Sequence, residues 1–228
     1  MGSEHDLRDR IREARRRLAA DGPPRVRCDG DFERVSVPVA DGDVLRDLLL
    51  AEKPGTVIEI GLAYGGSALA IAEALAAAGS GEPRHLIVDA YQELFHGSGW
   101  AAITGAGLAG RCSLVAERSQ IALPRLLGDG FVADAAFVDG SHIFHNVFVD
   151  LFYLRELVRP GGLIILDDCS YPPVATAARY FEVNTGWQLE PIASPTRLRA
   201  FRLPQRRTEP DFTSFRPFGL DAMPPSPS

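Results

Sequence analysis

Val57-Ile58-Glu59-Ile60-Gly61-Leu62-Ala63-Tyr64-Gly65-Gly66 reads as a strand that runs into a glycine turn and then into a helix. Residues 56–60 carry the β-branched apolar side chains that suit a strand. Gly61 lets a ligand approach the backbone closely, and Gly65-Gly66 opens a helix whose first amides point outward. The spacing is GxxxG with an acid two residues before the first glycine. Dinucleotide enzymes cradle a pyrophosphate with GxGxxG instead. An acidic loop of this kind suits a ligand that has no phosphates and carries a cationic end.

Downstream of this turn, strand and helix patterns alternate. Short apolar runs fall at 56–60, 85–89, 112–116, 134–138 and 162–166, with helical stretches at 66–78, 99–109, 119–127 and 143–158. Such alternation implies right-handed crossovers and a parallel sheet. Two last strands, 187–192 and 197–202, are joined by Ala193-Ser194-Pro195-Thr196. That connection is too short for a parallel crossover and predicts a hairpin. The expected fold is α/β: a doubly wound, mostly parallel seven-stranded Rossmann-like sheet ending in an antiparallel hairpin.

Upstream, Leu7, Ile11, Ala14 and Leu18 lie on one face of a helix over 5–20. Such a stripe needs a partner surface and predicts a homodimer. Arg15-Arg16-Arg17 reads either as a phosphate or partner patch or as a solvated helix face. Asp21-Gly22-Pro23-Pro24 breaks this helix, and a second is expected over 43–53, capped by Asp41 or Asp43. Residues 204–228 form a Pro-rich tail in which Phe212, Phe215 and Phe218 are candidates to dock. The expected organisation is therefore 1–36, an N-terminal helical extension; 37–203, the α/β domain; and 204–228, the tail.

Bulk composition narrows the function. A formal net charge of −6 over 228 residues argues against general nucleic-acid binding, which needs a basic surface. Cys28, Cys112 and Cys169 have no CxxC spacing, so neither a structural zinc site nor a disulfide framework is expected, and a reducing cytoplasmic setting fits. No apolar run is long enough to span a membrane, and the first residues lack a secretory pattern.

Acidic residues close three further strands. Asp89 ends the second, where a carboxylate can accept ribose hydroxyls or cap the next helix. Phe137-Val138-Asp139-Gly140-Ser141-His142 ends the fourth, and Leu163-Ile164-Ile165-Leu166-Asp167-Asp168 the fifth.

With these residues in hand, the stretch from Val37 to Leu203 resembles the class I S-adenosylmethionine-dependent methyltransferases. Glu59 to Gly65 is similar to their first motif and Asp89 to their ribose-binding acid. The resemblance implies S-adenosylmethionine as cofactor, with Glu59 and Gly61 flanking the methionine moiety and contacts from Ala63, Tyr64, Gly65, Ser67, Asp89, Ala90, Ser119 and Asp139. Glu117-Arg118-Ser119 would lie by the adenine, although Arg118 stands where family members often carry another acid. The resemblance also makes the fourth and fifth strands neighbours, with tips about 5 Å apart. Asp139, Asp167 and Asp168 would then converge and repel unless a cation joined them, and oxygen ligands suit Mg2+. The alternatives are a turn at Asp139-Gly140, Asp139 touching the cofactor without a metal, and Asp168 capping the helix after Pro173.

The spacing Asp139-x-x-His142 resembles that of the metal-dependent macrolide-sugar O-methyltransferases; the catechol O-methyltransferase-like enzymes carry Lys at the second position. His142 is the expected base, with Asp139 beside it, unless it is a surface or capping residue. His145, three residues on, is the lesser candidate for the base and is expected to face the helix exterior or the tail. The implied activity is Mg-assisted methyl transfer to a hydroxyl of a small molecule (phenol, catechol or sugar) in natural-product biosynthesis. Tyr91, His96, Trp100 and Tyr171 are candidates for an acceptor wall or for ordinary lid packing. Competing readings are a metal-independent N- or O-methyltransferase, a nicotinamide oxidoreductase, and a cofactor-binding partner subunit. The missing GxGxxG and the terminal hairpin count against the oxidoreductase, and retention of the three acids against the partner subunit.

Overall fold

The computed structural model describes residues 4–78 and 84–219. The chain divides into two compact units, Met1–Ser119 and Gln120–Ser228.

The first unit holds α1 (Glu4–Asp21), α2 (Asp31–Val35), α3 (Val39–Glu52), β1 (Thr56–Ile60), α4 (Gly66–Ala78), β2 (Arg84–Val88), α5 (Ser98–Gly105) and β3 (Cys112–Val115). β1 pairs in parallel with β2 from Thr56↔Arg84 to Ile60↔Val88, and β2 with β3 from His85↔Cys112 to Val88↔Val115. β1 is buried on both faces, as strands of a covered parallel sheet are, and it carries one buried charge, Glu59. α4 is built almost wholly of strong helix formers, and its side chains from Ala68 to Ala76 are buried.

The α1 stripe has its partner inside this unit. Leu7 and Ile11 are buried with Leu69 and Ala72 of α4 and Ile103 of α5, and Ala14 and Leu18 pack against the same cluster. The argument for a homodimer drawn from this stripe therefore falls away. The arginine run divides between its two readings. Arg15 is enclosed and pairs with Glu73 of α4 and Asp43 of α3, which compensates the buried Glu73 charge. Arg16 and Arg17 stay exposed and pair with Glu13. α3 begins earlier than expected, directly after Pro38, so neither Asp41 nor Asp43 caps it. α2 was not anticipated; at five residues it is too short to leave a periodic pattern.

The second unit holds α6 (Ser119–Gly128), which begins at the last residue of the first, then β4 (Ala133–Val138), α7 (Phe144–Leu157), β5 (Val158–Leu166), α8 (Pro172–Thr185), β6 (Gln188–Glu190) and β7 (Arg199–Arg202). β4 and β5 are parallel, and β7 runs antiparallel to both β5 and β6. β5 starts four residues before the expected strand. Arg159-Pro160-Gly161-Gly162 is accommodated inside it by a register shift, Ala133↔Val158 passing to Ala135↔Leu163. The seven strands follow the order β3-β2-β1-β4-β5-β7-β6, a mostly parallel sheet that ends in an antiparallel hairpin. β7 matters most for the site: Leu166↔Arg199 pairs its first residue with the last of β5. The loop before β7 is thereby brought to the tip of β5.

The described part of the tail docks on its own unit. Arg207 donates to the carbonyls of Glu156 and Val158, Arg155 pairs with Glu209, and Phe215 and Phe218 pack on Tyr180. Phe212 remains 96% exposed. Among the described residues no helix is long and apolar enough to cross a membrane.

Candidate functional site

The glycine turn after β1 is held by Asp89, the residue that follows β2. Asp89 Oδ2 accepts the amides of Leu62 (2.8 Å) and Ala63 (3.1 Å) and the side-chain amide of Gln92 (3.1 Å), while Oδ1 accepts the Tyr91 amide (2.6 Å). A carboxylate offers about four acceptor positions, so Oδ2 is saturated and Oδ1 keeps room for one further donor. That leaves fewer acceptor positions than the two ribose hydroxyls expected of Asp89 would need. Gln92 also donates to the Ala63 carbonyl at 2.9 Å. Gly99 of α5 lies so close that a Cβ there would fall 2.4 Å from the Ala63 carbonyl oxygen. Pinned from both sides, Ala63 adopts φ 43°, a left-handed conformation costly for a residue with a Cβ.

Three residues expected at the cofactor face inward. Glu59 is fully buried: Oε1 accepts the Ser67 hydroxyl at 2.5 Å, and Oε2 lies 2.8 Å from His85 Nε2, a contact of charge rather than of hydrogen-bond alignment. Burial pushes the His85 imidazole down, but the Cys112 sulfur 3.8 Å from Nδ1 and the Glu59 carboxylate outweigh it, and its pKa stands at about 9. Glu59 and Ser67 therefore brace the turn from within and do not present their side chains to a ligand. Tyr64 is likewise buried. Its hydroxyl donates to Asp31 and accepts the Arg27 amide, and its ring meets Phe32 and Phe95 edge-on. What Gly61, Ala63, Tyr64 and Gly65 can offer a ligand is backbone. Ala90 and Ser119 are half-buried, Ser119 as the first residue of α6.

The second cluster belongs to the other unit. Asp139 follows β4, and Asp167 and Asp168 follow β5. Among the described residues, Asp139, His142 and Asp168 form the group whose donor atoms all lie within 4.8 Å of one another. His142 Nε2 and Asp168 Oδ2 are 2.6 Å apart. That bond raises the His142 pKa above its ordinary value and, against burial, lowers that of Asp168. Asp168 sits at φ 55°, the left-handed region, with its amide donating to Asp167 Oδ1 at 2.7 Å. It does not cap α8, whose cap position is Tyr171. Asp167 stands outside the group. It is 2% exposed, and its Oδ2 meets Arg197 Nη2 at 2.6 Å. Burial raises the Asp167 pKa, with Arg197 opposing. The edge of the His142 ring faces Tyr171, which is half exposed, with ring centres 5.2 Å apart.

Arg197 and Gln92 escaped the sequence reading. The signal for Arg197 was present in the hairpin, since an antiparallel β7 must start where β5 ends. Gln92 left no signal, because its role depends on the path of a loop.

Residues 58–169 match the family model described as methyltransferase domain. Solved structures of similar fold include an O-methyltransferase from Bacillus cereus in complex with SAH (18% identity, TM-score 0.64, covering 85% of this chain and 90% of that one). Another is the O-methyltransferase TomG from Streptomyces achromogenes, involved in tomaymycin synthesis, in complex with SAM (19%, 0.64, 86% and 90%). A third is a putative O-methyltransferase from Klebsiella pneumoniae (19%, 0.64, 87% and 90%). No curated protein sequence matches the chain significantly.

Proposed function

We propose that this chain, residues 58–169 of which match the methyltransferase-domain family model, is an S-adenosylmethionine-dependent methyltransferase that acts on the hydroxyl group of a small molecule bearing a phenol, catechol or sugar ring. The residues of the glycine turn fit the cofactor. Gly61 and Gly65 have φ of 94° and 87°, the turn offers backbone, and Asp89 Oδ1 keeps one acceptor position for a ribose hydroxyl. Ala63, Ala90 and Ser119 would add contacts to the same ligand. When bound, S-adenosylmethionine supplies a methyl group already activated on a sulfonium.

What remains for the chain is to orient the acceptor and take its proton. The observation that carries this reading is the His142–Asp168 bond of 2.6 Å. With its proton on Nε2 held by Asp168, the imidazole leaves Nδ1 as the acceptor for the hydroxyl proton, and the carboxylate stabilises the imidazolium that forms. Tyr171, edge-on to His142, offers an exposed ring against which a flat acceptor packs. Asp139 is a further carboxylate beside the dyad.

Mg2+ on Asp139, Asp167 and Asp168 does not fit this arrangement. Both oxygens of Asp167 are already engaged, Oδ1 by the Asp168 amide and Oδ2 by Arg197, and Asp168 Oδ2 is engaged by His142. Asp139, His142 and Asp168 remain close enough for a cation, but a metal there would have to displace the direct His142–Asp168 bond. No step of the reaction is therefore routed through a metal. Free thiols at Cys28, Cys112 and Cys169 support a reducing, cytoplasmic setting.

Calorimetry against S-adenosylhomocysteine and NAD tests the cofactor, and a turnover screen over phenols, catechols, sugars and amines tests the acceptor. We expect binding of S-adenosylhomocysteine only, and methyl transfer to oxygen that His142→Ala lowers. Tight NAD binding, or transfer confined to amines, would refute the reading.

A further inference from the structure

Asp167 is a charge that the chain has enclosed and answered for itself. Its side chain has no exposed surface, and its cationic neighbour, Arg197, is itself only 30% exposed. The guanidinium spans two successive carboxylates: Nη2 lies 2.6 Å from Asp167 Oδ2 and Nη1 3.6 Å from Asp168 Oδ1. Asp139 is near enough to stabilise the same positive charge. The placement follows from topology, because β7 begins opposite Leu166 and Arg197 stands two residues before β7, beside the acids that follow Leu166.

We infer that Arg197 is the resident cation of this carboxylate site. It takes the place that three strand-end acids would give to a divalent ion, and it holds Asp167 and Asp168 so that Asp168 keeps its bond to His142. A planar fork with two donor faces is suited to bridging adjacent carboxylates. Its departure would leave Asp167 buried without a counter-charge, which is strongly unfavourable. While it stays, its fixed charge repels a second cation at contact distance. Arg197 is thus a positioning residue, and methyl transfer proceeds without a divalent ion. The positioning role rests on the hydroxyl-methylation reading; the competition between guanidinium and metal does not.

The experiment is Mn2+ binding to the full chain, followed by electron paramagnetic resonance, for the wild type, Arg197→Ala and Arg197→Lys. We expect weak binding to the wild type and an affinity at least about tenfold higher for Arg197→Ala, where the two carboxylates lose their +1 neighbour. Arg197→Lys should lie between them, since a single ammonium cannot bridge both acids. Wild-type turnover should survive EDTA. Tight Mn2+ binding by the wild type would overturn the inference. So would Mn2+ affinity no higher in Arg197→Ala than in the wild type, with Arg197→Lys carrying that comparison if the alanine variant does not fold. Calorimetry with S-adenosylhomocysteine separates the two claims: its failure to bind sinks the methyltransferase reading and leaves the Mn2+ result standing.

Discussion

The glycine turn and the carboxylate cluster solve the same problem with different materials. Each places acids at strand ends, and each contains a non-glycine residue at positive φ, Ala63 in one and Asp168 in the other. In the turn, Asp89 is satisfied by backbone amides and one neighbouring side chain, all within a few residues of itself or of the glycines. In the cluster, Asp167 and Asp168 are answered by side chains from other segments, His142 after β4 and Arg197 before β7. A site closed by backbone is a property of local spacing. A site closed by side chains depends on which segments the topology brings together, and its charge balance can change by one substitution.

If the cluster is the chemical half and the turn the binding half, substitutions should separate them. His142→Ala should lower turnover about 10²- to 10⁴-fold, the range typical of a lost general base, with S-adenosylhomocysteine affinity unchanged. A parallel loss of affinity would break the division. Asp89→Ala should do the reverse: it leaves the Leu62 and Ala63 amides without their acceptor and should weaken S-adenosylhomocysteine binding by about a hundredfold, read by calorimetry.

The pH dependence sharpens the contrast. Asp168 favours protonated His142, so the rising limb of the pH–rate profile should lie above 6.5, and Asp168→Asn should move it down. A limb unmoved by that substitution would remove His142 as the titrating base. Within the first unit, His85 carries a pKa of about 9 when folded against an ordinary 6.5. A group raised on folding stabilises fully below its ordinary value and loses that contribution as pH climbs through the folded one. Thermal stability should therefore fall between pH 7 and 10, and His85→Gln should flatten the slope. The smallest effect is expected at Ala63→Gly, which relieves the left-handed backbone and should stabilise by about 1 kcal/mol in denaturant titration.

The outline of the fold was legible because it rests on periodicity. α4 begins and ends where its Ala- and Leu-rich pattern does, and the short Ala193–Thr196 connection announced the hairpin. The boundaries of β5 were not legible, since Pro160-Gly161-Gly162 reads as a turn and only the register against β4 shows it as a bulge. At the strand ends, sequence spacing placed Asp89, Asp139, His142 and Asp168 where the structure has them. It misjudged Glu59 and Tyr64 because the direction of a side chain depends on its neighbours: His85 draws Glu59 inward, and Asp31 with Arg27 draws Tyr64. A joining cation was one of several readings of the three acids, and the guanidinium of Arg197, from the loop before β7, lies beside two of them.

The three cysteines sit in very different surroundings. Burial pushes the Cys169 thiol up to about 12, and Cys112 is enclosed against His85, while Cys28 lies exposed just ahead of α2. A maleimide dye offered to the folded protein should consequently attach at one position, without any cysteine having to be engineered away. That gives a ready-made fluorescent reporter on the segment that Tyr64 ties to the glycine turn.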